Sequence, residues 1–256
     1  MAVRQIRAIG TFRIMAAIII IRSMIHTVLT VAGSDPSGGA GIQADLKTFS
    51  SLKVYGMAVV SALTAQNTAG VSSVMAVPAA FVGLQLDAVL RDIKPGAVKT
   101  GMLANAEIVE VVASKFKENA VVRLVADPVL VSTSGTALLE PGAVEVFKRV
   151  LAPMALLITP NLEEAGTLAG VEVRDIRQME DAARRLVALG PRYALVKGGH
   201  LDGDPVDVLF DGRAVTHFRS ARLAGPNTHG TGCVLSAALA AYLARGLSVE
   251  EAVDAA

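Results

Sequence analysis

The stretch Asn227-Thr228-His229-Gly230-Thr231-Gly232-Cys233 stands just ahead of a strongly apolar run, Leu235 to Leu243. Glycines at a helix start let backbone N–H groups turn inward, where the helix dipole adds partial positive charge. That geometry holds an anion, such as a phosphoryl group in transfer. Cys233 falls in the first helical turn, where the same field favours a thiolate. A lone cysteine is also commonly a small buried hydrophobe, and spacing alone leaves both readings open. Asn161-x-x-Glu164 follows Pro160, and two oxygen-bearing side chains one helical turn apart suit Mg²⁺, often through water. Asp127 closes another apolar run and is a second candidate for metal or water-mediated phosphate contact, or a cap for the turn at Pro128. Lys197 precedes Gly198-Gly199, as a cation placed to approach phosphates or as a solvated charge. The Gln66 amide both donates and accepts hydrogen bonds. His200 and His229 show no carboxylate partner in the sequence and are assigned no role.

The elements that must position these groups alternate between strand and helix. Apolar runs at 26–32, 59–63, 71–77, 97–99, 121–126, 155–159 and 193–196 predict strands, mostly closed by Gly or Pro. Helical spacing appears at 38–53, 81–93, 108–116, 144–151, 179–189 and 235–243. Asp211-Gly212 between 206–210 and 214–218 signals a hairpin. Near-continuous apolar strands separated by helices predict a parallel sheet covered on both faces, an α/β layer sandwich. Ligands in such sheets sit at the carboxyl ends of the strands, and the polar and glycine-rich clusters lie there.

Composition bounds the rest. With 256 residues, 52% hydrophobic and 18% charged, the chain is neither disordered nor short of core. A formal net charge of +1 gives no reason to expect nucleic acid as a partner. The single cysteine excludes an internal disulfide and any cysteine-rich zinc cage. Residues 1–24 carry Arg4, Arg7, Arg13 and Arg22, no acid, and the apolar run Ile14 to Ile21. That run is too short for a bilayer, which takes about 20 apolar residues, and no small-x-small cleavage site follows it. The expected organisation is an N-terminal extension at 1–24 and one domain at 25–256, with no membrane as partner.

Seven segments occur in one order and register: AGSDPSGGAGIQADLKTF (Ala32 to Phe49), AQNTAGV (Ala65 to Val71), KTGML (Lys99 to Leu103), DPVLVSTSG (Asp127 to Gly135), TPNLEEA (Thr159 to Ala165), VKGGH (Val196 to His200) and NTHGTGC (Asn227 to Cys233). Together they resemble the hydroxymethylpyrimidine/phosphomethylpyrimidine kinases of thiamine biosynthesis, in the ribokinase-like superfamily. The resemblance implies a three-layer α/β/α sandwich with a central, mostly parallel sheet. It implies two successive phosphoryl transfers from ATP with Mg²⁺, the first to the hydroxymethyl oxygen of an aminopyrimidine and the second to the resulting monophosphate. By the same resemblance Gly33, Asp45, Gln66, Met102 and Val129 shape the pyrimidine pocket. Lys197, Gly198, Gly199 and Thr228 serve ATP; Asp127, Asn161 and Glu164 organise the metal. Gly230, Thr231 and Gly232 hold the transferring group, with Cys233 as base. A homodimer in the cytoplasm is the accompanying expectation.

Two features depart from the family pattern. Pro226 stands where relatives usually carry a basic residue, and the sequence ends at Ala256, where family members commonly continue. A pyridoxal kinase with the same pocket, or a pyrimidine-binding domain without turnover, are the alternatives.

Overall fold

The computed structural model describes residues 25–132, 135–199, 201, 203–222 and 230–256. Among these, nine strands form one sheet: β1 (Thr27–Ser34), β2 (Tyr55–Asn67), β3 (Gly70–Ala76), β4 (Ala97–Thr100), β5 (Leu124–Ala126), β6 (Leu157–Ile158), β7 (Tyr193–Val196), β8 (Val206–Phe210) and β9 (Val215–Arg219). Their order is β3-β2-β1-β4-β5-β6-β7-β8-β9. The six central strands from β2 to β7 are parallel, while β3, β8 and β9 add antiparallel edges.

Side chains alternate between the faces of a strand, and the core follows that rule. Leu29, Val31, Leu124, Ala126, Ala194 and Val196 enter one apolar cluster; Val28, Val125 and Leu195 enter the other. Helices α1 (Gly41–Ser51), α7 (Thr231–Ala244) and α8 (Val249–Ala255) cover the second cluster. The first is covered by α2 (Ala79–Asp92), α3 (Ala106–Glu118), α4 (Pro141–Val146, continuing in irregular helix to Met154), α5 (Leu162–Ala169) and α6 (Ile176–Val187). Helix α7 is apolar on nearly every side, with eight buried residues from Ser236 to Ala244, because it lies between the sheet and both α1 and α8.

Some expected boundaries move. The strand expected at 121–126 begins only at Leu124, since Val122 is exposed at the sheet's lower end. The run at 59–63 is the middle of a 13-residue strand. Strand β2 pairs with β1 up to Leu63, and its remainder pairs only with β3, so its exposed residues need not be apolar. The β2–β3 turn is set by Asn67, whose Oδ1 accepts from the N–H groups of Ala69 and Gly70.

Candidate active site

The loop leaving β1 is folded by Asp35. Its buried carboxylate accepts N–H bonds from Ser37 (2.9 Å), Gly39 (3.1 Å) and Ala40 (2.8 Å), and the Ser37 hydroxyl as well. This brings the Gly39 carbonyl against the start of α7. Gly230 has φ +80°, and a Cβ there would stand 1.8 Å from the Gly39 oxygen. No side chain fits that contact, so the β1 loop and the first turn of α7 form one continuous wall.

Two of the polar groups named in the sequence, Asp127 and Lys197, meet beside this wall. Gly232 leaves room for the Lys197 ammonium, which would lie 3.2 Å from a Cβ at 232. Lys197 donates to Asp127 Oδ1 at 2.9 Å, the Thr159 hydroxyl donates to the same oxygen at 3.1 Å, and the Ser236 hydroxyl donates to Oδ2 at 3.0 Å. Burial alone would lower the Lys197 ammonium, but Asp127, then Glu164, raise it overall. The site therefore holds a fixed cation at a helix N-terminus, a combination suited to phosphoryl oxygens.

Cys233 is half-buried. The field at the helix start was expected to favour its thiolate. In the folded chain the thiol is pushed up instead, first by burial and then by Asp45 and Asp127, against the pull of Lys99. Desolvation of the anion outweighs the dipole here.

Asp45 is enclosed by the protein. It has no exposed surface: Lys99 donates to both of its oxygens at 2.8 and 2.9 Å, and the Thr30 hydroxyl to Oδ2 at 2.6 Å. Its charged partner inside the protein is Lys99, at the end of β4. Gly33 and Met102 do meet, since a Cβ at Gly33 would lie 3.0 Å from the Met102 sulfur. Val129 is half-buried against the same core cluster as Met102. Gln66 lies further out, half-buried on β2, with its Oε1 accepting from the Thr64 hydroxyl at 3.0 Å. It lines an open groove of about 670 Å³ together with Pro36, Asn67, Val71, Ser72 and Thr136.

Asn161 and Glu164 turn toward each other. Asn161 Oδ1 accepts from the Glu164 N–H at 2.9 Å and Glu164 Oε2 from the Asn161 N–H at 2.8 Å, a capping box that starts α5. Among the described residues no three His, Cys, Asp or Glu side chains are grouped to hold a metal directly. Glu164 and Asp127 are within electrostatic reach of each other and of Lys197. Burial pushes the Glu164 carboxyl up to about 7, against the pull of Lys197. Between its ordinary value of 4.5 and about 7, the folded chain thus binds more protons here than the unfolded chain. The contribution is stabilising at low pH and is lost as pH rises through that window. Glu164→Gln should remove this slope. Urea midpoints of wild type and variant, compared from pH 5 to pH 8, check it; parallel curves would refute the raised value.

Gly198 packs its backbone against Val206, and its N–H donates to Asp207 Oδ1 at 2.7 Å, while Gly199 has open space where a side chain would be. The loop they begin is held by Arg222, which donates to the carbonyls of Gly199, Leu201 and Gly203. Arg222 lies in none of the seven segments, and Asp35 lies within Ala32 to Phe49 without an assigned role. Thr231 opens α7. Thr228, His229 and His200 lie outside the described residues.

Residues 35–256 match the phosphomethylpyrimidine kinase family. The chain belongs to that family. The hydroxymethylpyrimidine/phosphomethylpyrimidine kinase of Streptomyces coelicolor is 50% identical, covering 90% of this chain and 85% of the relative. The thiamine biosynthesis bifunctional protein ThiED of Geobacter sulfurreducens is 54% identical over 89% of this chain. The chain spans about half the length of that protein, 46%. Among solved structures, the phosphomethylpyrimidine kinase of Clostridium difficile superposes with a TM-score of 0.80 at 42% identity, covering 90% of this chain and 95% of that one. The ADP complex of Bacillus subtilis pyridoxal kinase gives a TM-score of 0.82 at 39% identity, covering 90% and 87%. The family's ribokinase-like three-layer sandwich is the fold described above. No helix among the described residues is long and apolar enough to cross a membrane.

Proposed function

We propose that this phosphomethylpyrimidine kinase family member phosphorylates 4-amino-5-hydroxymethyl-2-methylpyrimidine and then its monophosphate, with ATP as donor, in thiamine biosynthesis. The observation that carries the reading is the closed junction of Gly39 and Gly230, with Lys197 beside Gly232 and a thiol one residue on. In this reading the N–H groups of Gly230, Thr231 and Gly232 and the Lys197 ammonium neutralise charge on the transferring phosphoryl oxygens. Cys233 takes the proton of the hydroxymethyl oxygen as that oxygen becomes nucleophilic. Gly198, Gly199 and Thr228 belong to the ATP side. The donor atoms of Asp127, Asn161 and Glu164 are already engaged within the protein. That fits contact with Mg²⁺ through water rather than direct ligation, and the ion would supply neutralisation of phosphate charge. The same reading takes the enzyme as a cytoplasmic homodimer, which sedimentation velocity tests for assembly.

Gly33, Met102 and Val129 supply the walls of the pyrimidine pocket, and the Gln66 amide is the group able to match a ring nitrogen and exocyclic amine. Losing it leaves polar groups unpaired at about 1–3 kcal/mol. Gln66→Ala should therefore raise the pyrimidine KM roughly tenfold to a hundredfold and leave the ATP constant alone. A raised ATP constant with an unchanged pyrimidine constant would refute the placement. The similarity to Bacillus subtilis pyridoxal kinase supports pyridoxal as a second acceptor. ADP release measured with pyrimidine, its monophosphate and pyridoxal separates the two readings, and no release with any of them would leave a binding domain.

A further inference from the structure

Lys99 and Asp45 form an ion pair with no solvent-exposed side-chain surface on either partner. Pairs of this kind are often replaced by packed apolar residues at no loss of stability, so stability does not account for one here. Their position does. Asp45 belongs to α1, and the residue before that helix, Ala40, stands against the start of α7: a Cβ at Gly230 would lie 3.3 Å from Ala40 Cα. Lys99 stands at the carboxyl end of β4, where Gly101 leaves room for its ammonium; a Cβ at 101 would lie 3.1 Å from Nζ. Helix α7 packs directly on both α1 and β4. The ammonium is thus fixed between α1 and β4, two elements on which α7 packs, held by Asp45 and hidden from water.

We propose that Lys99 is a positioning residue for Cys233, held by Asp45 so that its buried positive charge favours the thiolate during catalysis. The inference rests on the reading of Cys233 as base. The charged groups within electrostatic reach of the thiol are Lys99 from β4, Asp45 from α1, Asp127 from the end of β5 and Lys197 from the end of β7. Lys99 is the strongest electrostatic influence among those acting on the sulfur, and the two aspartates oppose it. A lysine with water access would be screened; one with none keeps its field. Asp45 then has a second purpose beside holding Lys99 in place: it keeps that lysine charged despite its burial.

Cys233 is the only cysteine in the chain, so alkylation by iodoacetamide reports this thiol alone. The experiment is the pH midpoint of alkylation of the full-length protein, set beside the pH profile of kcat for the first transfer. Lys99→Met should move the alkylation midpoint up by about one unit. Lys99→Met combined with Asp45→Leu leaves no unpaired charge, so it carries the test if the single variant fails to fold. It should shift the midpoint the same way by less, because the opposing aspartate is gone too. Lys99→Arg should hold the midpoint near wild type. The kcat profile should move with the midpoint. A double variant with the wild-type midpoint overturns the proposal, because a packing role alone leaves the thiol's titration where it was. A shifted midpoint with an unshifted kcat profile supports the Lys99–Cys233 coupling and removes Cys233 from the role of base.

Discussion

Cys233→Ala should lower the turnover of the first phosphoryl transfer by about 10²–10⁴-fold, the usual worth of a general base, and leave ATP and pyrimidine binding close to wild type. A primary alcohol attacks poorly until its proton is removed in the transition state. The half-buried thiol is the side chain that the first turn of α7 brings beside Gly232 and Lys197. The second transfer should suffer less, because its acceptor is a phosphate oxygen already ionised near neutral pH, with a second pKa of about 6. Burial pushes the Cys233 thiol up, so turnover in the first step should climb as pH rises above neutrality, while the second step stays flatter. Single-turnover kinetics of both steps, with binding followed by calorimetry, measure the difference. Near-wild-type first-step turnover in Cys233→Ala would return the residue to a packing role.

What the sequence made legible were features local in the chain. Strands β7 and β8 were readable to the residue, because each is a short apolar run between turn residues. The helix start at Gly230 was readable because glycines and an apolar run are adjacent. The far half of β2 and the β2–β3 turn were not, since an exposed ribbon needs no apolar pattern. Asn161-x-x-Glu164 was legible for its oxygen-bearing side chains but not as the capping box that starts α5. The Lys99–Asp45 pair was the least accessible. The partners are 54 residues apart, and in sequence each is an ordinary charge, one in a short strand and one on a helix. Only the packing of α1 onto β1 and β2, and of α7 onto α1 and β4, turns two surface-like residues into a buried charge pair near the start of α7. Asp127 was legible as a strand-end carboxylate, but not its three partners, because Thr159, Lys197 and Ser236 come from three other elements.

Asp127→Ala should destabilise the protein by about 3–5 kcal/mol, the range for breaking a buried charge pair from one side. The carboxylate is 2% exposed, and the Lys197 side chain that it holds is 14% exposed, so water offers the stranded ammonium little relief. The hydroxyls of Thr159 and Ser236 lose an acceptor in the same change. Asp127→Asn should be milder, since the amide oxygen still accepts one of these bonds although the charge is gone. Adding Lys197→Met to Asp127→Ala removes the stranded charge and should recover much of the lost stability, because the site is then apolar without an unpaired ion. Activity should not return with it, since the phosphoryl oxygens lose the cation beside Gly232 that is proposed to neutralise them. Urea midpoints and turnover, measured on the same three variants, separate the two roles. If the double variant regains both stability and turnover, Lys197 and Asp127 only tie β5 to the loop after β7, and the phosphate cradle rests on the backbone of Gly230 to Gly232 alone.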